Sequence, residues 1–301
     1  MAEVLQQSEL DLLHQTRYPF ELLPLARTFM SKFLPLPEDL NQRQKDQQII
    51  DWVQSFHDKA VQVFHYPCLR RYGFVTPQIQ DHPLYSAHIQ QRKDIVTVLD
   101  VGCCMGTDLR YLTAIEGINP LQLRGIELLS EFLRLGNEFF QDGEENQRMF
   151  VAGDLLAPDF FSSSAFRHLQ TVGTSSSFPS SGATESFDVV VTNRVLHLFS
   201  RSDQVKLMEV VQKLLKPGGF WIGLTTGLPS SEELPNGILL HDPYSLKTLL
   251  TEAFHSKQEE EQPLYVDTKE WHFVPQTAAE IAYSSHIKRI FIFFGVQKSF
   301  L

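Results

Sequence analysis

The spacing of hydrophobic positions along the chain changes once, near residue 94. Before it, Ile49, Ile50, Val53, Phe56, Ala60, Val63 and Phe64 recur three and four residues apart, as on a helix with one buried face, and Pro67 ends that run. After it, short β-branched runs alternate with helical stretches, the pattern of a parallel sheet covered by helices on both faces. The runs predict strands at 95–101, 121–126, 148–152, 187–192 and 219–225, and helices at 106–115, 129–140, 163–170 and 203–215. Ser202 or Asp203 is placed to cap the last helix, and Pro217-Gly218-Gly219 to stop it. Two later extended runs, Leu264 to Phe273 and Arg289 to Lys298, flank an expected helix near 276–287. Together these predict a Rossmann-like α/β fold: a mostly parallel seven-stranded sheet with an antiparallel edge, helices on both faces and a helical N-terminal extension.

Residues 1–93 form that extension on this reading, and 94–301 form the main domain, interrupted near 162–186 by a Ser-rich stretch with Gly173, Pro179 and Gly182 that reads as an insertion. In the extension, Tyr18, Phe20, Trp52, His65, Tyr66 and Tyr72 either line a lid over a substrate or belong to the core, as aromatic residues at helical spacing usually do.

Candidate chemistry concentrates at the strand ends. The apolar strand Ile95-Val96-Thr97-Val98-Leu99-Asp100 runs straight into Gly102-Cys103-Cys104-Met105-Gly106, after which a helix begins. A strand, a glycine turn and a helix N-terminus bring backbone amides close to a ligand. A dinucleotide would call for G-x-G-x-x-G, which follows none of the strands. S-adenosyl-methionine, which has no phosphate, calls for an acid before the turn to meet its ammonium group, and Asp100 stands there. The second strand ends on Glu127, followed by Leu128, where an acid accepts hydrogen bonds from ribose hydroxyls. The third ends on Asp154, placed to face an adenine amino group, with Leu155 against the ring, and the fourth ends on Asn193.

Five strand ends in this order resemble those of the class I S-adenosyl-methionine-dependent methyltransferases over roughly residues 95–225. The resemblance implies that Asp100, Gly102, Cys103, Gly106, Glu127, Leu128, Asp154, Leu155 and Asn193 bind the cofactor. That family often has a middle glycine in the turn; here the position is Cys104, which fits if its φ stays negative. The Cys-Cys-Met-Gly-Thr-Asp-Leu-Arg-Tyr-Leu form of the turn, the extension and Asn-Arg-Val-Leu-His-Leu are more narrowly similar to fungal secondary-metabolite methyltransferases of meroterpenoid pathways. Those proteins methylate carboxyl groups on polycyclic intermediates and are described as homodimers, so the resemblance implies a small-molecule acceptor and a possible homodimer.

Two further residues are candidates. His197 is either a general base near the transferred methyl or a histidine satisfied by packing. Arg194, directly after Asn193, either pairs with a substrate carboxylate or forms a surface ion pair.

Composition narrows the field. With 301 residues, 43% of them hydrophobic, the chain can bury a large core. A formal charge of -10 disfavours a nucleic-acid substrate, whose binding draws on clustered Lys and Arg. No apolar run approaches the roughly 20 residues of a membrane span, and the first residues lack a signal-peptide pattern, so a cytoplasmic protein with no membrane partner is expected. Cys68, Cys103 and Cys104 suggest neither a disulfide framework nor a metal site, and the adjacent pair reads as small buried side chains rather than reactive thiols. The run Glu259-Glu260-Glu261 reads as a solvated turn.

Overall fold

A computed structural model describes residues 20–172, 184–254, 264–269 and 290–298. In chain order the main elements are α1 (Pro24–Met30), α2 (Gln42–Val63), β1 (Val98–Val101), α3 (Thr107–Ala114), β2 (Leu123–Glu127), α4 (Ser130–Phe139) and β3 (Phe150–Ala152), followed by α5 (Ser164–Leu169), β4 (Phe187–Asn193), α6 (Arg201–Leu214), β5 (Leu215–Gly227), α7 (Pro243–Phe254), β6 (Leu264–Lys269) and β7 (Ile290–Gln297). The seven strands form one sheet in the order β3-β2-β1-β4-β5-β7-β6. Strands β1 to β5 pair in parallel, whereas β7 runs antiparallel to both β5 and β6. The α/β class, the seven strands and the antiparallel edge all agree with the expectation from the sequence.

The register fixes where the site must be. Asp100 of β1 is opposite Gly125 of β2 on one side and Val191 of β4 on the other. The chain leaves β1 toward β2 and later returns to β1's other side with β4, so the strand order reverses there. In open α/β sheets the crevice at the carboxyl ends of the strands, at such a reversal, takes the ligand.

Side-chain alternation along the strands divides the interior in two. Val98, Val189, Val191 and Ile222 join one apolar cluster with α1, α2, α3 and α4. Leu99, Val101, Val190 and Trp221 join the other with α5, α6 and α7. The first cluster includes Phe29, Ile49, Val53, Phe56, Ile79 and Ile89, so the segment before β1 shares the cover of that face with α3 and α4. Two side chains add directional ties: Trp52 donates from Nε1 to the Phe139 carbonyl at 3.0 Å, and the His82 Nε2 lies 3.0 Å from the Phe294 carbonyl oxygen on β7. Burial pushes the His82 imidazole down to about 4, so it donates that bond as the neutral ring.

Several boundaries differ from those predicted. Helix α2 stops at Val63, and Pro67 instead opens the short helical turn Pro67–Arg70, because proline is tolerated in a first turn. Strand β1 begins three residues later than expected; Ile95 is exposed and belongs to the preceding turn. Helix α6 is capped by Ser200, whose hydroxyl accepts the Asp203 N–H, rather than by Ser202 or Asp203. It ends at Leu214, and β5 starts at once through Pro217-Gly218-Gly219. Helix α7 was not predicted. The expected helix at 276–287, the acidic run 259–261, Tyr18 and residues 173–183 of the Ser-rich stretch lie outside the described residues.

Phe29 is fully buried, with its ring centroid 5.1 Å from that of Phe33 and 5.6 Å from that of Phe140. Phe29→Ala should cost about 3–5 kcal/mol in urea unfolding, the loss typical of a large aromatic removed from a core. A loss below about 1 kcal/mol would mean that the extension is not part of the cooperative unit.

Candidate active site

The turn after β1 is a tightly held piece of backbone. Gly102 and Cys103 donate their N–H groups to the Ile126 carbonyl at 2.8 and 3.2 Å, which continues the β1–β2 pairing into the turn. Gly102 and Gly106 lie at φ of +69° and +70°, a region that favours glycine, and a methyl group on Gly102 would stand 2.6 Å from Val195 Cγ2. Cys104 is also left-handed, at φ +51°, contrary to the negative φ expected for it. Its N–H donates to Glu127 Oε2 at 2.9 Å, and that bond helps hold a conformation which a residue with a Cβ adopts at a cost. Burial pushes the Cys103 and Cys104 thiols well up, with Asp100 and Glu127 adding to it, which is the opposite of nucleophile activation.

Three carboxylates meet around this turn. Glu127 accepts from Cys104 N–H through one oxygen and from Leu129 N–H, at 3.0 Å, through the other. Its side chain is therefore fixed while lone pairs on both oxygens stay available. Asp108, on the first turn of α3, accepts the Gln78 and Ile79 N–H groups at 2.6 and 3.2 Å on Oδ1 and the Asn193 side-chain amide at 2.8 Å on Oδ2. Asp100 differs from both: it is 4% exposed, and its carboxylate makes no hydrogen bond among the described residues. Burial, then Asp108, then Glu127 push its carboxyl well above the usual range. A buried acid without a partner is costly, and a cationic ligand group would relieve that cost.

The other predicted residues sit around this centre. Leu128 is 64% exposed at the end of β2, and Leu155 is buried beneath the end of β3. Asp154 is exposed, with Oδ1 accepting the Leu156 N–H at 2.8 Å. Asn193 is half-buried, its amide nitrogen engaged by Asp108. Arg194, at φ +60°, places its guanidinium 5.1 Å from the centroid of the Phe291 ring. The Arg194 side chain has a buried Nε and no hydrogen-bond partner among the described residues; burial pulls its pKa down, while Cys68 and Asp108 act in the opposite direction. His197 lies on the short helical turn Leu196–Leu198, where its Nδ1 accepts the Thr226 N–H at 3.4 Å and lies 3.5 Å from Thr225 Oγ1.

Sequence reasoning missed the role of Asp108 and of the extension beside it. Thr107 donates to the Phe74 carbonyl at 2.6 Å, so Thr107 and Asp108 together bind segment 74–79 to the helix that follows the glycine turn. Tyr66, also from the extension, stands near Glu127; burial first, then Glu127, Cys104 and Cys68, push its phenol up to about 12. The available signal was the pair of short hydrogen-bonding residues directly after Gly106, which could have been read as satisfying loop backbone.

Comparison with known proteins bears directly on this arrangement. Residues 99–221 match the family described as a methyltransferase domain. Within this stretch the chain is similar to class I methyltransferase domains. S-adenosyl-methionine is the cofactor of that class, and the matched stretch holds Asp100, Glu127, Asp154 and Asn193 within its bounds. The chain is 31% identical over 186 residues to O-methyltransferase phiE of a fungal species (strain ATCC 74256), covering 60% of this chain and 55% of that one. It is 30% identical over 190 residues to methyltransferase ausD of Aspergillus calidoustus, covering 63% and 59%. With O-methyltransferase atr3 of Stereocaulon alpinum it shares 28% over 244 residues, covering 78% and 63%. The chain thus spans between 55% and 63% of the length of these relatives. Phosphoethanolamine N-methyltransferase 2 of Haemonchus contortus, solved with S-adenosyl-methionine, superposes with a TM-score of 0.51 at 14% identity, covering 88% of this chain and 62% of that one. The [4+2]-cyclase SpnF superposes with a TM-score of 0.50 at 12% identity, covering 85% and 96%. These two likenesses concern the fold, and the cyclase illustrates that the fold by itself leaves the reaction open.

The raised carboxyls of Asp100 and Glu127 set a pH dependence. With no ligand bound, the folded state holds more protons than the unfolded chain between the ordinary carboxylate range and these raised values, so these groups make stability fall as pH rises through that window. A ligand ammonium favours the ionised acids, so the rise in melting temperature produced by S-adenosyl-homocysteine should grow from about pH 5 to about pH 8. Equal rises at both pH values would refute this electrostatic account.

Proposed function

We propose that the chain is an S-adenosyl-methionine-dependent O-methyltransferase acting on a small, largely apolar molecule of fungal secondary metabolism, with a terpenoid or meroterpenoid carboxyl group as acceptor. The observation that carries the cofactor half is the buried Asp100, lacking a hydrogen-bond partner at the end of β1 beside a glycine turn. It suits the ammonium group of the cofactor, while Glu127, fixed by two backbone amides, has lone pairs left for the ribose hydroxyls. Asp154 and Leu155 at the end of β3 suit the adenine. Two of the relatives, phiE and atr3, are named as O-methyltransferases, which supports oxygen as the acceptor atom.

When bound, the cofactor supplies an electrophilic methyl group on a sulfonium; the protein's task is alignment and exclusion of water. Arg194 supports a carboxylate acceptor. Its Nε is buried and its guanidinium lies over the Phe291 ring without a hydrogen-bond partner among the described residues, so an acceptor carboxylate can give one oxygen to it and present the other for attack. A carboxylate is already ionised near neutral pH and needs no base. A phenol, with an ordinary pKa of about 10, would need one, and His197 would then be the candidate.

Titration calorimetry of the wild type with S-adenosyl-homocysteine should show binding, weakened about 10- to 100-fold in Asp100→Asn, in keeping with loss of a charge-assisted hydrogen bond. No binding by the wild type would overturn the cofactor reading. For the acceptor, His197→Ala should leave turnover within about threefold, whereas a loss of about a hundredfold or more would assign a phenol-type acceptor. Arg194→Met should raise the acceptor KM about tenfold or more with the cofactor KM unchanged.

A further inference from the structure

Against the glycine turn, α3 carries an arginine that is almost wholly buried and whose hydrogen-bond partners include neither Asp100 nor Glu127. Arg110 is 1% exposed and uses every arm of its guanidinium. Nη1 donates to the Met105 carbonyl, inside the turn, at 2.6 Å. Nε donates to Asp142 Oδ2 at 2.8 Å, Nη2 contacts the same oxygen, and Nη2 also donates to Asn137 Oδ1 at 2.9 Å. The guanidinium plane lies between two rings, 4.7 Å from the centroid of Phe140 and 4.4 Å from that of Phe150. Asp142 is fully buried too, so neither charge is shared with solvent.

This expensive arrangement has a geometric consequence at the turn. The Met105 carbonyl is trapped between the guanidinium and α4, where a methyl group on Gly136 would lie 2.5 Å from its oxygen. A methyl group on Gly106 would collide with Arg110 Nη1 and come within 2.5 Å of Phe150. The segment so clamped contains three left-handed residues, Gly102, Cys104 and Gly106, of which Cys104 pays for its φ. Such a backbone keeps its shape only when its surroundings over-determine it. On the cofactor side Cys104 is restrained by its N–H bond to Glu127, a residue that must also serve the ligand. The Arg110 clamp is independent of the ligand.

We propose that Arg110, held by Asp142 and Asn137, is a positioning residue that keeps the turn at 102–106 in its ligand-ready shape through the Met105 carbonyl. The proposal rests on the reading of this turn as the S-adenosyl-methionine site. Breaking the clamp should weaken cofactor binding while leaving the acceptor side intact.

The test compares wild type, Arg110→Met, Arg110→Lys and Asp142→Asn, each checked for folding by circular dichroism. In titration calorimetry the S-adenosyl-homocysteine Kd should rise on the order of ten- to a hundredfold in Arg110→Met. It should rise less in Arg110→Lys, which retains a cation for Asp142 but not the fork, and about tenfold in Asp142→Asn. At saturating cofactor the acceptor KM should stay within about twofold. Amide exchange in the unliganded protein should quicken about tenfold or more at 102–106 and stay unchanged in β4. If Arg110→Met fails to fold, Arg110→Lys and Asp142→Asn decide by the same measurements. A folded variant that binds S-adenosyl-homocysteine as the wild type does, with unaltered exchange in the turn, overturns the role of Arg110. Failure of the wild type to bind overturns the cofactor reading instead, and the exchange experiment reports on the clamp even then.

Discussion

Everything at the site depends on negative charge kept out of water. Asp100, Glu127 and Asp108 converge on one turn, each buried, and only two of them are compensated by hydrogen bonds from the protein. Asp108 is satisfied by backbone from the extension and by Asn193; Glu127 is satisfied by the turn and the start of α4. Asp100 is left over. The fold tolerates this because the sheet provides a rigid frame around it: β1 is buried at all four positions and paired on both sides. On the proposed reading, the cost of holding Asp100 in this state is offset by the ammonium group of the cofactor.

The extension belongs to that frame as much as the strands do. Its apolar residues share the cover of one face of the sheet, and its backbone reaches Asp108 through Gln78 and Ile79. Cover and site are thus joined by a carboxylate rather than by apolar contact alone. Together with the Thr107 bond to Phe74, this couples any shift of segment 74–79 to the helix that follows the cofactor turn.

Much of this was legible in the sequence, for identifiable reasons. Strands buried on both faces read as unbroken β-branched runs, so β1 and β4 stood out, and the polar residues at their ends, Asp100 and Asn193, could be numbered in advance. What escaped notice was polar and buried. Pattern reading assigns Asp108, Arg110 and Asp142 to the surface, because a lone charged residue in a helix or loop is usually solvated. Their burial depends on partners 30 and 32 residues away, Gln78 for Asp108 and Asp142 for Arg110, which no local period encodes. The φ of Cys104 escaped for a related reason: the expectation came from the residue's own preference, while tertiary bonds decided its conformation. Ser200 was passed over as a cap because three hydrogen-bonding residues stand near one helix start, and only the geometry selects among them.

The two ends of the crevice proposed for the cofactor are unequal in their exposure. Asp100 and Glu127 are enclosed, whereas Leu128 and Asp154, at the ends of β2 and β3, face solvent. A molecule lying along these strand ends would have its amino-acid portion walled in by turn and extension and its nucleoside portion open. Exchange of spent for fresh cofactor would then run through the nucleoside end, with the extension still docked. Chemical additions to the base would be tolerated where additions to the amino-acid portion would not, making the outer half of the crevice the natural place to attach a fluorophore or an affinity handle.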